Sequence, residues 1–343
     1  MAATETGEGQ PIGNQAGRQL SASQLALARG RAYGLLSQLY LAGVKPQNLA
    51  QVEAVPELSV ELVAPFDADE AAADHHHLFG FNVHPYQSFF LDPAGLLGGP
   101  VTESVTRTYG NSGFYPETSS ESADHIGFEL GFLSFLCAAE AEALADDRPE
   151  AAGQWQERQR EFMQTHLLRW IGPLTLAVDQ QGHRFYRVLA GITFDVVQEH
   201  ASGLSTHMND SATGDSSLPP VPKILEDEKT GLKDIVDFLL TPAYSGIYLG
   251  RDDIGRLARQ QAIPRGFGDR GQLLLNLLRA AANYGALGEV IKELESFTGR
   301  WLANYDEMGA QEGAGPFMAV WRDRAAGTAA LLQQMYGGIE ELA

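Results

Sequence analysis

Apolar positions along this chain recur every three to four residues in segment after segment, and no credible alternation in steps of two appears. Leu25, Ala28, Ala32, Leu35, Leu36, Leu39 and Tyr40 keep that rhythm up to Gly43, with Ser21 or Ser23 placed to cap the helix they predict. Helical patterns return over about 118–145, 154–170 and 184–200, and then over 225–240, 251–261, 268–284, 287–305 and 316–336. Between the first two groups, the stretch FGFNVHPYQSFFLDPAGLLGGP (79–100) mixes prolines and glycines with aromatics, which predicts an ordered loop packed on helices. Residues 1–20 are small, polar and Gly-rich and read as a disordered tail. A polar, Pro-ended linker over 202–223 separates a helical domain over 21–201 from a helical C-terminal extension over 224–343. The expected architecture is an all-α bundle with a helical extension.

The segment ADHIGFELGFLSFL (123–136) poses the central question. Thr118 followed by Glu121 fits a capping box that would open its helix. Ile126, Leu130, Leu133 and Cys137 line one strip, with Phe128, Phe132 and Phe135 beside it, so this wide side must pack on other helices. Glu121, His125 and Glu129 follow at steps of four on another side, and Asp124 falls in the first turn, where the helix dipole favours a carboxylate. From spacing alone these residues read equally as a solvated face or as a functional set.

Charge narrows the choice. With 44 acidic against 24 basic residues the formal charge is -20, which disfavours nucleic acid and anionic membrane surfaces and suits a basic peptide. Cys137 is the single cysteine, so no internal disulfide forms, and no apolar run is long enough to span a bilayer. The N-terminus lacks the pattern of a signal peptide, which points to the cytoplasm.

A metal centre would draw on His125 and Glu129 with His75, His76 and His77. Consecutive histidines diverge on a helix, however, and neither HExxH nor a paired ExxH occurs, so no metal is expected. A helical metal-dependent enzyme is the alternative function. GFGDRG (266–271) matches GxGxxG in letters but follows a charged helical pattern instead of a buried strand, which favours a plain loop and helix start. P-loop and GxSxG motifs are absent, and Cys137 on an apolar helix face reads as core. Neither a cofactor nor a catalytic residue is assigned. The arginines over 251–279 are interleaved with Asp252, Asp253 and Asp269 and read as a salt-paired surface.

Three blocks together resemble the TorD/DmsD/NarJ family of redox-enzyme maturation chaperones. LFGFNVHPYQSFFLD is similar to the family's P-[WY]-E-S loop, ESADHIGFEL to its E-x-P-D-H-[IL]-x-x-E-[LF] signature, and FMQTHLLRWIGPL (162–174) to its F-x-x-x-H-L-x-x-W helix. The likeness covers about residues 24–200, so that 21–201 would be the TorD-like chaperone domain. Gln87 stands where the loop usually has Glu, and Ala123 where the signature usually has Pro. The resemblance implies a non-enzymatic, cytoplasmic chaperone. It would bind the N-terminal or twin-arginine leader segment of a molybdopterin oxidoreductase's catalytic subunit and assist cofactor insertion before export. It further implies that Tyr86, Gln87, Ser88, Glu121, Asp124, His125 and Glu129 bind the peptide, with Asp124, His125 and Glu129 as a polar rim beside an apolar groove. The long linker allows either a monomer or a domain-exchanged dimer.

Overall fold

The computed structural model describes residues 20–94, 97–116, 121–205, 218–225, 230–264 and 266–342. Residues 1–19 of the tail expected over 1–20, Thr118 of the expected capping box and positions 206–217 of the expected linker lie outside these residues. Among them the fold is all-α and contains no strand.

The N-terminal bundle is built on two long antiparallel helices, α1 (Ala22–Ala42) and α7 (Ile126–Ala145). Ser21 caps α1 and Gln24 completes the box, while the Ser23 hydroxyl donates instead to Ala141 O on α7 (3.0 Å). The two helices approach closely at Gly127, where an added Cβ would lie 2.4 Å from Leu41 Cγ. Between them the chain makes short helices α2 (Leu49–Glu53), α3 (Pro56–Ser59) and α4 (Ala68–His75), a π-helical turn over His76–Asn82, α5 (Gln87–Leu91) and α6 (Pro100–Asn111). Pro100 opens α6, where no intrahelical N–H is required. The predicted loop over 79–100 therefore contains two helical pieces.

Beyond α7 lie α8 (Pro149–Thr165), α9 (Ile171–Asp179) and α10 (Arg184–Ser205). The single helix expected over 154–170 is broken: α8 stops at Thr165, and one 3-10 turn over Leu167–Arg169 re-aims the chain into α9. That bend buries Leu167, Leu168 and Trp170 together. Helix α10 continues to Ser205, so the first residues of the expected linker are helical.

The C-terminal part comprises α11 (Leu232–Leu240), α12 (Pro242–Ser245), α13 (Arg251–Gln260), α14 (Arg270–Asn283) and the long antiparallel pair α15 (Leu287–Gly309) and α16 (Gly315–Leu342). One contiguous apolar cluster runs from Tyr33 to Leu332 through both parts. Trp321 on α16 donates its indole N–H to Arg169 O (2.8 Å), and the Arg324 guanidinium donates to Pro219 O (2.6 Å).

Candidate functional site: a buried knot beneath an aromatic loop

The head of α7 is tied to the loop before α5 by backbone. Gln87 N–H donates to Asp124 O and Ile126 N–H to Pro85 O, each at 2.9 Å, making an isolated antiparallel bridge between Tyr86 and His125. Every side chain the sequence singled out here is brought together around this bridge, with one difference from expectation. Asp124, His125 and Glu129 are buried instead of forming a rim, and Gln87 and Ser88 are buried with them. The cause lies in α7 itself, whose apolar residues surround it on every side, so that its first turn is covered by the 85–88 loop and by Trp170.

Asp124 is the centre of the knot. Its carboxylate accepts from Ser88 N–H (2.9 Å), the Thr102 hydroxyl (2.9 Å) and the Ser122 hydroxyl (2.5 Å). These three donors join the α5 loop, α6 and the approach to α7. A buried charge needs such partners, and a carboxylate already holding three has little left for an incoming guanidinium.

His125 is the N-cap of α7, with Nδ1 accepting from Gly127 N–H (3.0 Å), which fixes its proton on Nε2. Burial pushes its pKa down to about 3, with the nearby His75 adding to the effect. The imidazole is thus neutral, packed edge-on against the Tyr86 ring at 5.0 Å. Glu129 accepts from Trp170 Nε1–H (3.1 Å) through one oxygen, while the other is buried without a partner. Its pKa is raised well above the ordinary carboxyl value, first because burial penalises the anion, despite the indole hydrogen bond.

Tyr86 and Glu121 alone of the seven reach the surface. Both are half-buried, and the Tyr86 hydroxyl donates to the Glu121 carboxylate. Gln87 Oε1 faces His166 Nδ1 at 3.2 Å, and burial lowers the His166 pKa to about 4. Thr102, Ser122, His166 and Trp170 complete the arrangement and were not singled out as site residues. Their signal was faint: isolated Ser, Thr and His residues carry no pattern, although His166 and Trp170 lie in the FMQTHLLRWIGPL block.

The far side of the loop is held by the C-terminal part. His84 N–H donates to the Tyr248 hydroxyl (2.9 Å), Phe90 stacks on Tyr248 at 5.4 Å, and the Arg270 guanidinium lies 4.7 Å over Tyr248 and 5.5 Å over Phe89. Asp252 accepts from Asn82 Nδ2 (3.2 Å) and contacts His77 Nε2 (2.9 Å), and its N–H donates to Asn82 Oδ1 (2.9 Å).

The histidine run diverges. His75 Nε2 meets Tyr40 O (3.0 Å), His76 packs edge-on against Phe81 (4.8 Å), and His77 meets Asp252. Among the described residues, no group of three His, Cys, Asp or Glu side chains could hold a metal ion. In GFGDRG, Asp269 caps α14 by accepting from Gln272 N–H (2.8 Å), and no strand precedes it.

Residues 46–175, which include the tied 85–88 loop and the head of α7, match the family model described as nitrate reductase delta subunit. Over 110 residues the chain is 26% identical to the chaperone protein TorD of Aliivibrio fischeri (strain ATCC 700601 / ES114), covering 32% of this chain and 50% of that protein. The chain thus spans half the length of the curated relative it matches. Both matches are to TorD/NarJ-type maturation chaperones, and the family match lies in the N-terminal part of this chain.

Proposed function

We propose that this protein is a cytoplasmic maturation chaperone for a molybdopterin-dependent oxidoreductase. It binds the N-terminal segment of the catalytic subunit, a twin-arginine leader where the client is exported, and holds that subunit while cofactor is inserted. The observation that carries the reading is the family match over residues 46–175, which contains the whole of the knotted loop and the head of α7. Tyr86 and Glu121 are the members of the seven-residue set that can touch a peptide. Gln87, Ser88, Asp124, His125 and Glu129 support that surface from beneath by fixing the loop. Among the described residues no helix is long and apolar enough to cross a membrane.

The test is co-expression of the full chain with a molybdopterin-dependent catalytic subunit encoded beside it. Co-purification that is lost when the subunit's N-terminal segment is deleted supports the reading. Equal recovery of the truncated subunit removes the N-terminal segment from it, and no recovery of either form overturns it.

A further inference from the structure

Where α8 and α10 of the N-terminal bundle meet the turn between α15 and α16, the chain leaves a cavity of about 290 Å³, near the lower end of the range for small-molecule sites. Two helix faces form its sides. Arg160, Met163 and Gln164 recur at one-turn spacing on α8, and Gln198, Ala201 and Ser202 do so on α10. The α15–α16 turn makes the roof, with the Ser202 hydroxyl donating to Glu312 O (3.5 Å). Gly313 has φ +82°, and a Cβ there would lie 3.2 Å from Ser202 Oγ, so glycine lets the turn come this close. Met163, Leu168 and Leu204, all buried, and the half-buried Phe317 of α16 give the cavity its apolar surface.

The polar groups left over around this cavity are donors. Gln198 is 5% exposed, and its Nε2 is buried without a partner, a costly state for an amide. Its last side-chain torsion is soft, so the N–H groups can turn towards the cavity. In the roof, the backbone N–H groups of Glu312 and Gly313 find no acceptor among the described residues. Arg160 donates Nε–H to Glu157 (2.9 Å) and a terminal N–H to Gln164 Oε1 (2.9 Å), so its charge is already matched and it adds N–H groups to the wall without net charge. We infer that this cavity binds a small organic monocarboxylate, whose carboxylate takes the Gln198 amide N–H and whose apolar body lies against Met163, Leu168 and Phe317. A carboxylate only accepts, which matches a wall whose unmet groups donate, whereas a carboxamide would bring N–H groups of its own. An inorganic anion would leave the apolar surface uncovered. The sides come from residues 160–204 and the roof from 312–317, so an occupant ties the C-terminal extension to the bundle. This site is separate from the knotted loop and owes nothing to the client.

The probe is para-trifluoromethylbenzoate at neutral pH, followed by the broadening of its fluorine resonance as the full-length chain is added. Its neutral counterpart is para-trifluoromethylbenzamide, of nearly the same shape. Native protein should bind the benzoate about tenfold more tightly than the benzamide, the difference between a charge-assisted and a neutral acceptor. Gln198→Leu removes a buried amide whose nitrogen has no partner and keeps an apolar side chain of similar length, so it should melt no earlier than native. It is expected to weaken benzoate binding by about tenfold through the lost hydrogen bond to a charged group. Ala201→Phe, at a half-buried position of α10, puts a ring into the cavity and should abolish binding. Thermal melting followed by circular dichroism checks that both variants fold, and if either does not, the choice of native protein between benzoate and benzamide decides. No broadening by native protein at about 10 mM benzoate overturns the site. So does equal benzoate binding by native and folded Ala201→Phe protein, because the probe would then sit elsewhere. Benzoate binding unchanged in folded Gln198→Leu protein, or equal binding of benzoate and benzamide by native protein, overturns recognition of the carboxylate.

Discussion

Replacing Asp124 by alanine removes an acceptor from three elements at once. The Ser88 N–H, buried at 2.9 Å from the carboxylate, would lose its partner, and an unsatisfied buried donor costs about 1–3 kcal/mol. The Thr102 and Ser122 hydroxyls lose charge-assisted bonds of about 1.5–3 kcal/mol each, but they can rotate towards other acceptors, so the contributions do not add. A total loss of about 3–5 kcal/mol is expected for Asp124→Ala, and about 1–2 kcal/mol for Asp124→Asn, which keeps one oxygen for the Ser88 N–H. Urea unfolding at neutral pH followed by circular dichroism measures both, with an unchanged slope showing that the two variants unfold from the same compact state. The same reasoning fixes the binding result: because the carboxylate faces inward, folded Asp124→Asn protein should bind a client peptide within about threefold of native. An alanine variant within about 0.5 kcal/mol of native would refute the knot. A tenfold loss of affinity in the asparagine variant at native stability would instead return Asp124 to direct contact with the client.

Other outcomes follow from the same geometry. Glu129 has its folded pKa raised, so the folded state holds a proton the unfolded state releases; native stability relative to Glu129→Gln should fall by about 1.4 kcal/mol per pH unit as pH rises from 4.5 towards that raised value, and a flat difference between the two urea curves would contradict its burial as an acid. His84, His125, His166 and His200 have folded pKa values pushed down to about 4, 3, 4 and 3, chiefly by burial, against 6.5 when free. Their contribution is fully present above pH 6.5 and is lost as pH falls towards those values, so unfolding should take up additional protons in that window, seen as a steepening of the urea midpoint against pH; no decline between pH 6.5 and 4.5 would count against neutral buried imidazoles. Gly246→Ala should destabilise by about 3 kcal/mol or more, because Gly246 has φ +70° and its new Cβ would sit 2.3 Å from Ala325 N and 2.7 Å from Trp321 O, backbone atoms that cannot rotate away; an unchanged thermal midpoint would rule out the close α12–α16 approach.

Much of the fold is legible because several helices announce their starts. Ser21 with Gln24 marks the start of α1 and Asp269 caps α14, whereas α6 is not among the expected helices even though Pro100 stands at its start. The head of α7 was misplaced for a physical reason: its N-cap is His125, a residue absent from the usual Ser, Thr, Asp and Asn set, so the cap was sought near Thr118 and Glu121. Once the helix begins at Ile126, Glu121 is not on it, and the apparent stripe of Glu121, His125 and Glu129 dissolves. The burial of Glu129 was readable in principle. From Ile126 to Ala139 it is the one charged side chain in an otherwise apolar and small-residue run, and a helix that is apolar all round has no solvated face to offer it. The C-terminal seating was not readable, since Tyr248 and Asp252 reach His84 and Asn82 across more than 160 positions with no local pattern to mark them.

That seating bears on what the extension does. The loop over 77–90 is held on one side by the Asp124 knot and on the other by Tyr248, Asp252 and Arg270. A loop of prolines and aromatics has few local hydrogen bonds of its own, so its shape is set by whichever neighbours satisfy it. The knot alone fixes residues 85–88 through Ser88 N–H, Gln87 N–H and Pro85 O, but it supplies no partner for His84 N–H or Asn82 Oδ1, although Asn82 Nδ2 already donates to His77 O (3.1 Å). The C-terminal part supplies those missing partners, and it stacks Tyr248, from the connection between α12 and α13, on Phe90 while Arg270 covers Phe89. The surface formed by Tyr86 and Glu121 is therefore a product of both parts of the chain. Anything that loosens α13 and α14 from the bundle reaches it through His84 and Asn82 without touching either side chain.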